Sequence, residues 1–314
     1  MSRFVGGNFR LVGLMPVRNE GWCLGLTLQV ALKWCDEVVV LLHSSTDNSG
    51  QLAMGIATLT ERVTVLATDD TKWDEMRHRQ AMLEIARTRA RPDARDGPSA
   101  THIALVDADE LLTANLVDEV QGWVQRYHQQ DLVQRRLELP LYNLRGGMDK
   151  YHANGVWGNR WTTAAFQDFQ QLHWSGDRFH HREPMGVQLV AHRPVEHGQG
   201  GILHLWGADE RRLRAKHALY KITERIRWPQ KPVAEIEKYY NQAIYSDTSH
   251  MGNGRDSRIW TFADVPPAWL EGYEDLMRDH LHLDAEPWQE AESRRLVELN
   301  GREQFRGLDL FGVV

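Results

Sequence analysis

The chain contains little cysteine. Cys23 and Cys35 are its two thiols in 314 residues, too few for the disulfide framework of a small secreted domain. Neither lies in a Cys-x-x-Cys or Cys-x-x-His spacing that would predict a zinc site. We therefore expect two buried thiols in a reducing environment, which predicts a cytoplasmic protein.

Long apolar runs are also missing. The longest, such as Val38 to Leu42, are far shorter than the roughly 20 residues that a membrane helix needs. The first eight residues lack the basic-then-apolar pattern of a signal segment. We therefore expect no transmembrane segment.

What is present is the composition of a folded protein. The chain is 42% hydrophobic and 25% charged, which disfavours disordered and fibrous architectures. At roughly 150 residues per domain, its length predicts about two domains. The formal net charge of −6 excludes a uniformly basic coat for nucleic acid.

The first half alternates between apolar, β-branched runs and segments with helical periodicity. Four strands are predicted, at Leu11–Met15, Glu37–Leu42, Val63–Leu66 and His102–Val106. Such alternation predicts an α/β fold with a mostly parallel sheet flanked by helices. We expect a catalytic domain at 1–208, with halves at 1–130 and 131–208, and a helical C-terminal extension at 209–314.

Two carboxylates, Asp107 and Asp109, follow the fourth predicted strand. Like charges so close are costly unless a cation is present, and Mg²⁺ or Mn²⁺ commonly link a few carboxylates to substrate phosphates. The pair is therefore a candidate anchor for a metal and a diphosphate. The alternative is an acidic turn that solvates a strand end.

Four segments, taken in order, resemble the family-2-like glycosyltransferases of the GT-A fold. They are Leu14–Glu20, Asp36–Val40 running into Ser45–Ser49, Met76–Arg79, and Val106–Glu110. The resemblance implies transfer of one sugar from a nucleotide-sugar donor to an acceptor hydroxyl, with a divalent cation, Mn²⁺ or Mg²⁺, at Asp107 and Asp109. UDP is the default nucleotide by analogy.

The resemblance also implies a nucleotide pocket. Its residues would be Pro16, Arg18, Glu20, Asp47, Arg77 and Asp107. One departure concerns the base: where many relatives place an Asp at the end of the second strand, this chain has Leu42 followed by His43.

A weaker match downstream is carried by Trp174–Gly176, His181–Glu183, Ile202–Gly207 and Lys216. It resembles the acceptor side of such enzymes and implies Glu183 as the base that takes the acceptor proton and His204 as a further metal ligand. Asp168 is the second choice for the base. Lys216 is a candidate for the leaving diphosphate. The alternatives are a surface charge for Glu183 and a core histidine for His204.

The charge is unevenly distributed. Residues 135–232 hold 16 Lys and Arg against 9 Asp and Glu, a net of +7, and the rest of the chain carries −13. Together with Trp157, Trp161, Trp174 and Trp206, this basic segment fits a polyanionic acceptor such as hydroxymethylated DNA bases of phages, or a glycan. The alternatives are solvated helix faces for the charges and core packing for the tryptophans.

Three other functions are weighed against this one. A nucleotidyltransferase on a related fold would usually have a Gly-rich loop near its amino terminus, and this chain has none there. A non-catalytic carbohydrate- or nucleic-acid-binding protein would need no metal. A Rossmann dehydrogenase is disfavoured because no Gly-x-Gly-x-x-Gly follows the first strand.

Overall fold

The computed structural model describes residues 9–70, 73–88, 100–129, 135–176, 181–245 and 260–314. Residues 177–180 of the basic segment lie outside this part of the chain. The strands are β1 (Phe9–Val17), β2 (Glu37–His43), β3 (Val63–Thr68), β4 (Ala100–Leu105), β5 (Glu110–Leu112), β6 (Arg135–Asn143), β7 (Lys150–His152), β8 (Arg160–Gln167), β9 (Val190–His192), β10 (Ile202–His204) and β11 (Phe262–Asp264). The helices are α1 (Leu24–Trp34), α2 (Ser49–Leu59), α3 (Glu75–Thr88), α4 (Val117–Gln129), α5 (Glu210–Arg227), α6 (Val233–Asn241), α7 (Glu274–His280) and α8 (Trp288–Asn300).

The predicted α/β class is confirmed: a large, mostly parallel sheet is flanked by helices. Its order is β3-β2-β1-β4-β8-β6-β10-β5, and β9 pairs with β6. β1 to β4 are mutually parallel, whereas β8 runs antiparallel to β4. The carboxyl ends of β1, β2 and β4 therefore meet at one sheet edge.

The central strands are apolar because both of their faces are covered. Val12, Leu14, Val39, Ile103 and Leu105 are all essentially inaccessible to solvent and form one cluster. Burial of each such side chain contributes about 1.5–3 kcal/mol. This packing explains why uninterrupted apolar runs, rather than an alternating pattern, mark these strands.

The chain divides into two compact units. The first unit comprises Met1–Pro140, Trp161–Leu203 and Pro267–Leu281, and the second comprises Leu141–Arg160, His204–Pro266 and His282–Val314. The sequence-based division at residue 208 stays a prediction.

Within the first unit, Pro267–Leu281 packs against early elements. The Tyr273 hydroxyl donates to the Leu112 carbonyl at 3.1 Å. Gly25 in α1 lies against His280, whose Nδ1 would be 2.8 Å from any Cβ at that position. A larger residue at position 25 would therefore require the His280 side chain to shift.

The second unit is mainly helical. α5 and α8 pack together, with Ile222, Val297 and Phe305 forming one apolar cluster. β7 and β11 form a separate antiparallel pair. Among the residues that the structure describes, we find no helix that combines the length and the apolar character needed to cross a membrane.

Candidate functional site

The loops after β1 and β2 are interlocked by hydrogen bonds. Asn19 has a left-handed backbone with φ of 54°, a conformation that Asn tolerates better than most residues. Its Oδ1 accepts from the backbone N–H groups of Thr46 and Asp47 at 2.6 and 3.2 Å, and its own N–H donates to Ser45 Oγ. Asn19 thus holds the turn in place, and its side-chain oxygen is occupied by these two hydrogen bonds.

Two predicted nucleotide-pocket residues lie in these loops. Both carboxylate oxygens of Asp47 accept backbone N–H groups, from Gly21 and Ser49, at 2.9 Å each. Glu20 Oε2 accepts from Trp22 Nε1 at 2.6 Å. The structure brings Glu20 and Asp47 together, and Asp47 shapes the loop with both of its oxygens.

The other predicted nucleotide residues have different environments. Pro16 is buried in β1 opposite Leu41 of β2, and Arg18 is half-buried just beyond the strand. Arg77 is 69% exposed and pairs with Asp70 at 2.6 Å. Lys216 is half-buried on α5, in the second unit.

The end of β2 carries aromatic rings where the resemblance would place a carboxylate. His43 is fully buried, with its ring centroid 4.6 Å from that of His78 and 5.2 Å from that of Trp73. Burial and the neighbouring His43 lower the pKa of His78 to about 4, so His78 is neutral near pH 7. Neither Leu42 nor His43 carries a carboxylate that could contact a nucleotide base.

Asp107 lies at the centre of a buried ion-pair network. Its Oδ1 accepts from Arg79 Nη2 at 2.8 Å, and its Oδ2 accepts from Arg182 Nη1 at 2.7 Å. Arg182 also reaches Glu110 at 2.7 Å, and Arg79 reaches Glu75 at 2.9 Å. We call these five residues the arginine–carboxylate network.

The network fixes the ionisation of Asp107 and of its two arginines. Burial opposes the charge on Asp107, but the guanidinium groups of Arg182 and Arg79 outweigh it and lower the pKa of the carboxyl to about 2. Burial likewise opposes the charge on the two arginines, and their carboxylate partners raise the pKa of each above its ordinary value. Arg79 and Arg182 thus provide part of the positive charge that two adjacent carboxylates require.

Arg182 is held by further contacts along its length. Its Nη2 donates to the Leu105 carbonyl at 2.7 Å, and its Nε donates to the Thr163 carbonyl at 3.3 Å. Its own carbonyl accepts from Trp174 Nε1 at 3.2 Å. These contacts attach the guanidinium to β4 and β8 and hold it against Asp107.

The turn that contains Asp109 is fastened to α1. The Ala108 carbonyl accepts from Thr27 Oγ1 at 2.8 Å and from Cys23 Sγ at 3.3 Å. Asp109 itself is 7% exposed. Cys23 is therefore a buried structural thiol, as its sequence context predicted.

The residues fit a divalent cation in charge and in donor type. Counted as ionised, Asp109 and the network have four carboxylates against two guanidiniums, an excess of two negative charges. Each oxygen of Asp107 accepts one of these guanidinium bonds, and a carboxylate oxygen offers about two acceptor positions. Within the described ranges, no three His, Cys, Asp or Glu residues form a ready-made metal shell. The pair suits Mg²⁺ or Mn²⁺, which are commonly held by one or two carboxylates with substrate phosphates.

Glu183 directly follows Arg182, a member of the arginine–carboxylate network, in the sequence. Its Oε1 accepts from the Thr163 hydroxyl at 2.7 Å, and its Oε2 accepts from Arg136 at 2.8 Å. Thr163 thus contacts both Arg182, through its carbonyl, and Glu183, through its hydroxyl. The side chain of Glu183 remains 39% exposed, so its carboxylate is both oriented and accessible.

Asp168, the second candidate base, is bound bidentately. Arg87 donates to its two oxygens at 2.8 and 2.7 Å and also to the carbonyls of Phe169 and Leu172. The Asp168 side chain is only 10% exposed. This arrangement fastens the loop after β8 to α3.

Two of the four tryptophans named from the sequence pack in the interior. Trp174 and Trp206 are buried, and Trp157 is half-buried and donates to the Gln242 carbonyl at 2.7 Å. Trp161 is half-buried beneath the Arg193 guanidinium, 4.6 Å from its ring centroid. Core packing, the alternative weighed from sequence, accounts for two of the four.

Many cations of the basic segment have acidic partners within their own unit. Further pairs are Arg136–Glu138, Arg193–Glu138, Arg145–Glu210, Arg211–Glu286, Arg211–Glu290, Lys221–Glu237 and Lys231–Glu224. Partners from outside the segment, such as Glu237 and Glu290, offset part of its net charge of +7, whereas Glu138, Glu210 and Glu224 are already counted in that value.

Sequence reasoning missed Arg79 and Arg182 as site residues. Arg79 lies on the same buried face of α3 as Met76 and Leu83. An arginine on an apolar stripe is a signal for a paired buried charge, because a guanidinium is almost never buried alone. Arg182 carries no comparable local signal.

Comparison with known proteins adds a weak likeness of fold. No protein-family model matches the chain, and no curated protein matches it. Residues 1–349 of S. aureus TarS align with 15% identity and a TM-score of 0.30 over 44% of this chain and 36% of that one. The mannosyltransferase PcManGT from Pyrobaculum calidifontis, in complex with GDP-Man and Mn²⁺, gives 17% identity and a TM-score of 0.29 over 43% and 35%.

A third structure is similar to the same degree. Glucosyl-3-phosphoglycerate synthase from Mycobacterium tuberculosis, in complex with Mn²⁺, uridine diphosphate and phosphoglyceric acid, gives 12% identity and a TM-score of 0.28 over 43% of each chain. This chain thus spans less than half the length of each of these proteins. Likeness at this level does not establish an activity, so the proposal below relies on the chain's own residues.

Proposed function

We propose that the chain is a glycosyltransferase that moves a sugar from a nucleotide-sugar donor, UDP-linked by default, to an acceptor hydroxyl. The observation that carries the proposal is the arginine–carboxylate network around Asp107, beside Asp109. It lies at the edge where β1, β2 and β4 end. Ligands of such sheets bind beyond the carboxyl ends of the strands.

Asp107 and Asp109 would hold Mn²⁺ or Mg²⁺, which as a Lewis acid would stabilise the charge that the leaving diphosphate gains. The protein prepares this position by keeping Asp107 ionised and fixed between Arg79 and Arg182. Because both guanidiniums are themselves anchored, the carboxylate needs little reorganisation when a ligand arrives.

The acceptor hydroxyl must lose a proton as it attacks the anomeric carbon. Glu183 is our first candidate for this base, in an inverting single displacement, because Thr163 and Arg136 orient an accessible carboxylate beside Arg182. Asp168 is the weaker candidate, since Arg87 occupies both of its oxygens.

Donor binding can be tested by thermal unfolding with UDP, GDP, CDP or ADP, each with Mn²⁺ or with a chelator. We expect one diphosphate to raise the Tm by several degrees in the presence of Mn²⁺ only. A ligand at a hundred times its Kd stabilises by about 2.7 kcal/mol. Asp109→Asn should remove the shift and lower nucleotide-sugar turnover at least about a hundredfold, whereas the exposed Asp118→Asn should change neither.

Three outcomes would contradict the proposal. Full activity in a folded Asp109→Asn variant would show that the proposed metal site does not take part in the reaction. Release of pyrophosphate from a nucleoside triphosphate would favour a nucleotidyltransferase. Ligand binding that is indifferent to the chelator, without turnover, would favour a non-catalytic binding protein.

The acceptor is proposed as a hydroxyl compound, either a glycan or a modified DNA base. A DNA acceptor bound through six or more phosphates would lose about 10³ in affinity between 50 and 200 mM salt. The local ion pairs of residues 135–232 lead us to expect a flat response. Titration of hydroxymethylated DNA at several salt concentrations decides between the two, and a steep slope would restore the polyanionic acceptor.

A further inference from the structure

One edge strand of the large sheet lacks the features that normally prevent pairing with another chain. β3 (Val63–Thr68) ends the strand order, and among the strands that the structure describes it pairs with β2 alone. Its sequence contains no charged residue, no proline and no glycine. Natural proteins protect exposed edges with short strands, charges, prolines or bulges. The opposite end of the sheet follows that rule, because β5 has three residues and all of them are buried.

The outward backbone groups of β3 can be assigned from its pairing with β2. The carbonyls of Arg62 and Thr68, at the two ends of the strand, accept from N–H groups in and just after β2 at 2.8 and 2.9 Å. In a parallel ladder, alternate residues direct both backbone groups to the same neighbour. Val63, Val65 and Ala67 therefore direct their N–H and C=O groups away from β2. These groups form a template for one further strand.

The helix beside this edge has no charge and is largely exposed. α2 packs against β3, and Ser49 and Ala53 are its buried residues. Leu52, Ile56 and Leu59 form a stripe at helical spacing, of which the first two are half-buried and Leu59 is 86% exposed. A free strand edge next to an apolar helix surface favours a protein partner over a nucleic acid or a small ligand.

A second copy of this chain fits the edge because the strand can pair with itself. Two copies related by a twofold axis perpendicular to the sheet would join their β3 strands antiparallel, and this would close both edges at once. One such register sets Val65 opposite the partner's Ala67. Both residues direct their backbone groups outward, so each such pair can exchange two hydrogen bonds.

The charges that flank β3 favour the same arrangement. Arg62 precedes the strand, and Asp69 and Asp70 follow it. The Arg62 guanidinium donates to three backbone carbonyls at the end of α1, so its charge is not neutralised by these bonds. In the register above, Arg62 lies opposite the partner's Asp70, and Glu61 lies beyond both acidic residues. Antiparallel pairing thus sets the basic residue of each strand against the acidic end of the other.

We propose that the chain forms a twofold dimer through antiparallel pairing of β3, with the two α2 helices side by side over the junction. Because the axis is perpendicular to the sheet, both helices lie on the same face of the combined sheet, where their apolar side chains approach each other. The carboxyl ends of β1, β2 and β4 then point in opposite directions in the two copies, so each copy keeps its own candidate site. The dimer does not depend on the proposed function.

Sedimentation equilibrium of the full chain, over about a hundredfold range of concentration, measures the assembly. We expect a monomer–dimer equilibrium. Val65→Pro removes an outward N–H and should raise the Kd of the dimer at least about tenfold while the monomer still folds, because proline is tolerated where an edge N–H faces solvent. Ala67→Lys, at an exposed position, places a charge at the junction and should have the same effect. Leu299→Lys, at a leucine that is 72% exposed in the second unit, is the matched control and should leave the Kd unchanged.

Hydrogen exchange tests which backbone groups the dimer uses. The amides of Val63, Val65 and Ala67 should exchange slowly at dimeric concentrations and quickly in the monomer. The amides of Thr64 and Leu66 face β2 and should be protected in both states. Protection that alternates with a period of two would identify the strand edge as the interface.

Four outcomes would overturn the proposal. The first is a wild-type chain that stays monomeric throughout the concentration range. The second is a dimer whose Kd is unchanged in Ala67→Lys, a variant that keeps the test valid if Val65→Pro does not fold. The third is growth into open-ended assemblies, which a closed twofold contact does not allow. The last is a dimer that Leu299→Lys dissociates and Ala67→Lys does not, since its interface would lie elsewhere.

Discussion

Asp107→Asn should lower the free energy of unfolding by about 3 kcal/mol, because it takes the shared negative partner from Arg79 and Arg182. Breaking a buried ion pair typically costs 3–5 kcal/mol, and the 28% exposure of the Asp107 side chain favours the lower end. Because Arg79 and Arg182 both pair with this carboxylate, loss of activity in this variant must be read beside its stability.

The pH dependence of the stability provides a second test of the same ion pairs. The carboxyl of Asp107 has its pKa lowered from 3.8 to about 2 in the folded chain. A depressed pKa means that the stabilisation is present above about pH 4 and is lost as the pH falls through 2. The stability difference between wild type and Asp107→Asn should therefore shrink over that interval.

Urea unfolding, followed by tryptophan fluorescence at pH 7 and at steps down to pH 2, measures both effects. Asp118→Asn, at an exposed position of α4, should stay within about 0.5 kcal/mol of wild type. An Asp107→Asn variant as stable as wild type at pH 7 would show that Arg79 and Arg182 do not depend on this carboxylate.

Lys221→Met should destabilise the second unit by about 3 kcal/mol. The Lys221 side chain is fully buried, and its Nζ donates to Glu237 at 2.9 Å, to Asn241 at 2.6 Å and to the Asp309 carbonyl at 2.7 Å. It also lies 4.0 Å from the ring centroid of Phe311. Removing the ammonium leaves the Glu237 carboxylate without its counter-charge, and the segment around Asp309 loses its link to α5.

A double variant separates the charge from the packing. Lys221→Met combined with Glu237→Gln leaves no uncompensated charge and should recover part of the loss. Lys238→Met, on the exposed side of α6, is the matched control. Limited proteolysis after residue 300 should be faster in Lys221→Met than in wild type, and equal rates together with equal unfolding midpoints would contradict the prediction.

The parallel strands β1 to β4 could be predicted from sequence because each is a run of apolar or β-branched residues, and β1, β2 and β4 are buried. The segments Leu11–Met15, Glu37–Leu42 and Val63–Leu66 are predicted strands and lie within β1, β2 and β3. Within the predicted helical extension, Pro287 and Gly301 flank α8 as N-cap and C-cap. Local periodicity and helix-terminating residues suffice for such elements.

The candidate site was predicted only in part. The position of Asp107 and Asp109 at a strand end followed from the apolar run before them. Their electrostatic environment did not, since Arg79 is 28 residues away and Arg182 is 75 residues away in sequence. The orientation of Glu183 by Thr163 depends on the pairing of the chain around β8, which no local pattern specifies.

By itself, the sequence determined the α/β class, the central parallel strands and the clustering of acidic and polar loops at their carboxyl ends, because buried strands leave apolar runs and half-buried helices leave a periodic pattern. Only the tertiary structure decided which charges meet. It placed Arg79 and Arg182 on Asp107 and paired Arg211 of the basic segment with Glu290. Contacts of this kind join residues far apart in sequence, and their energies depend on burial and distance, neither of which is written in local spacing.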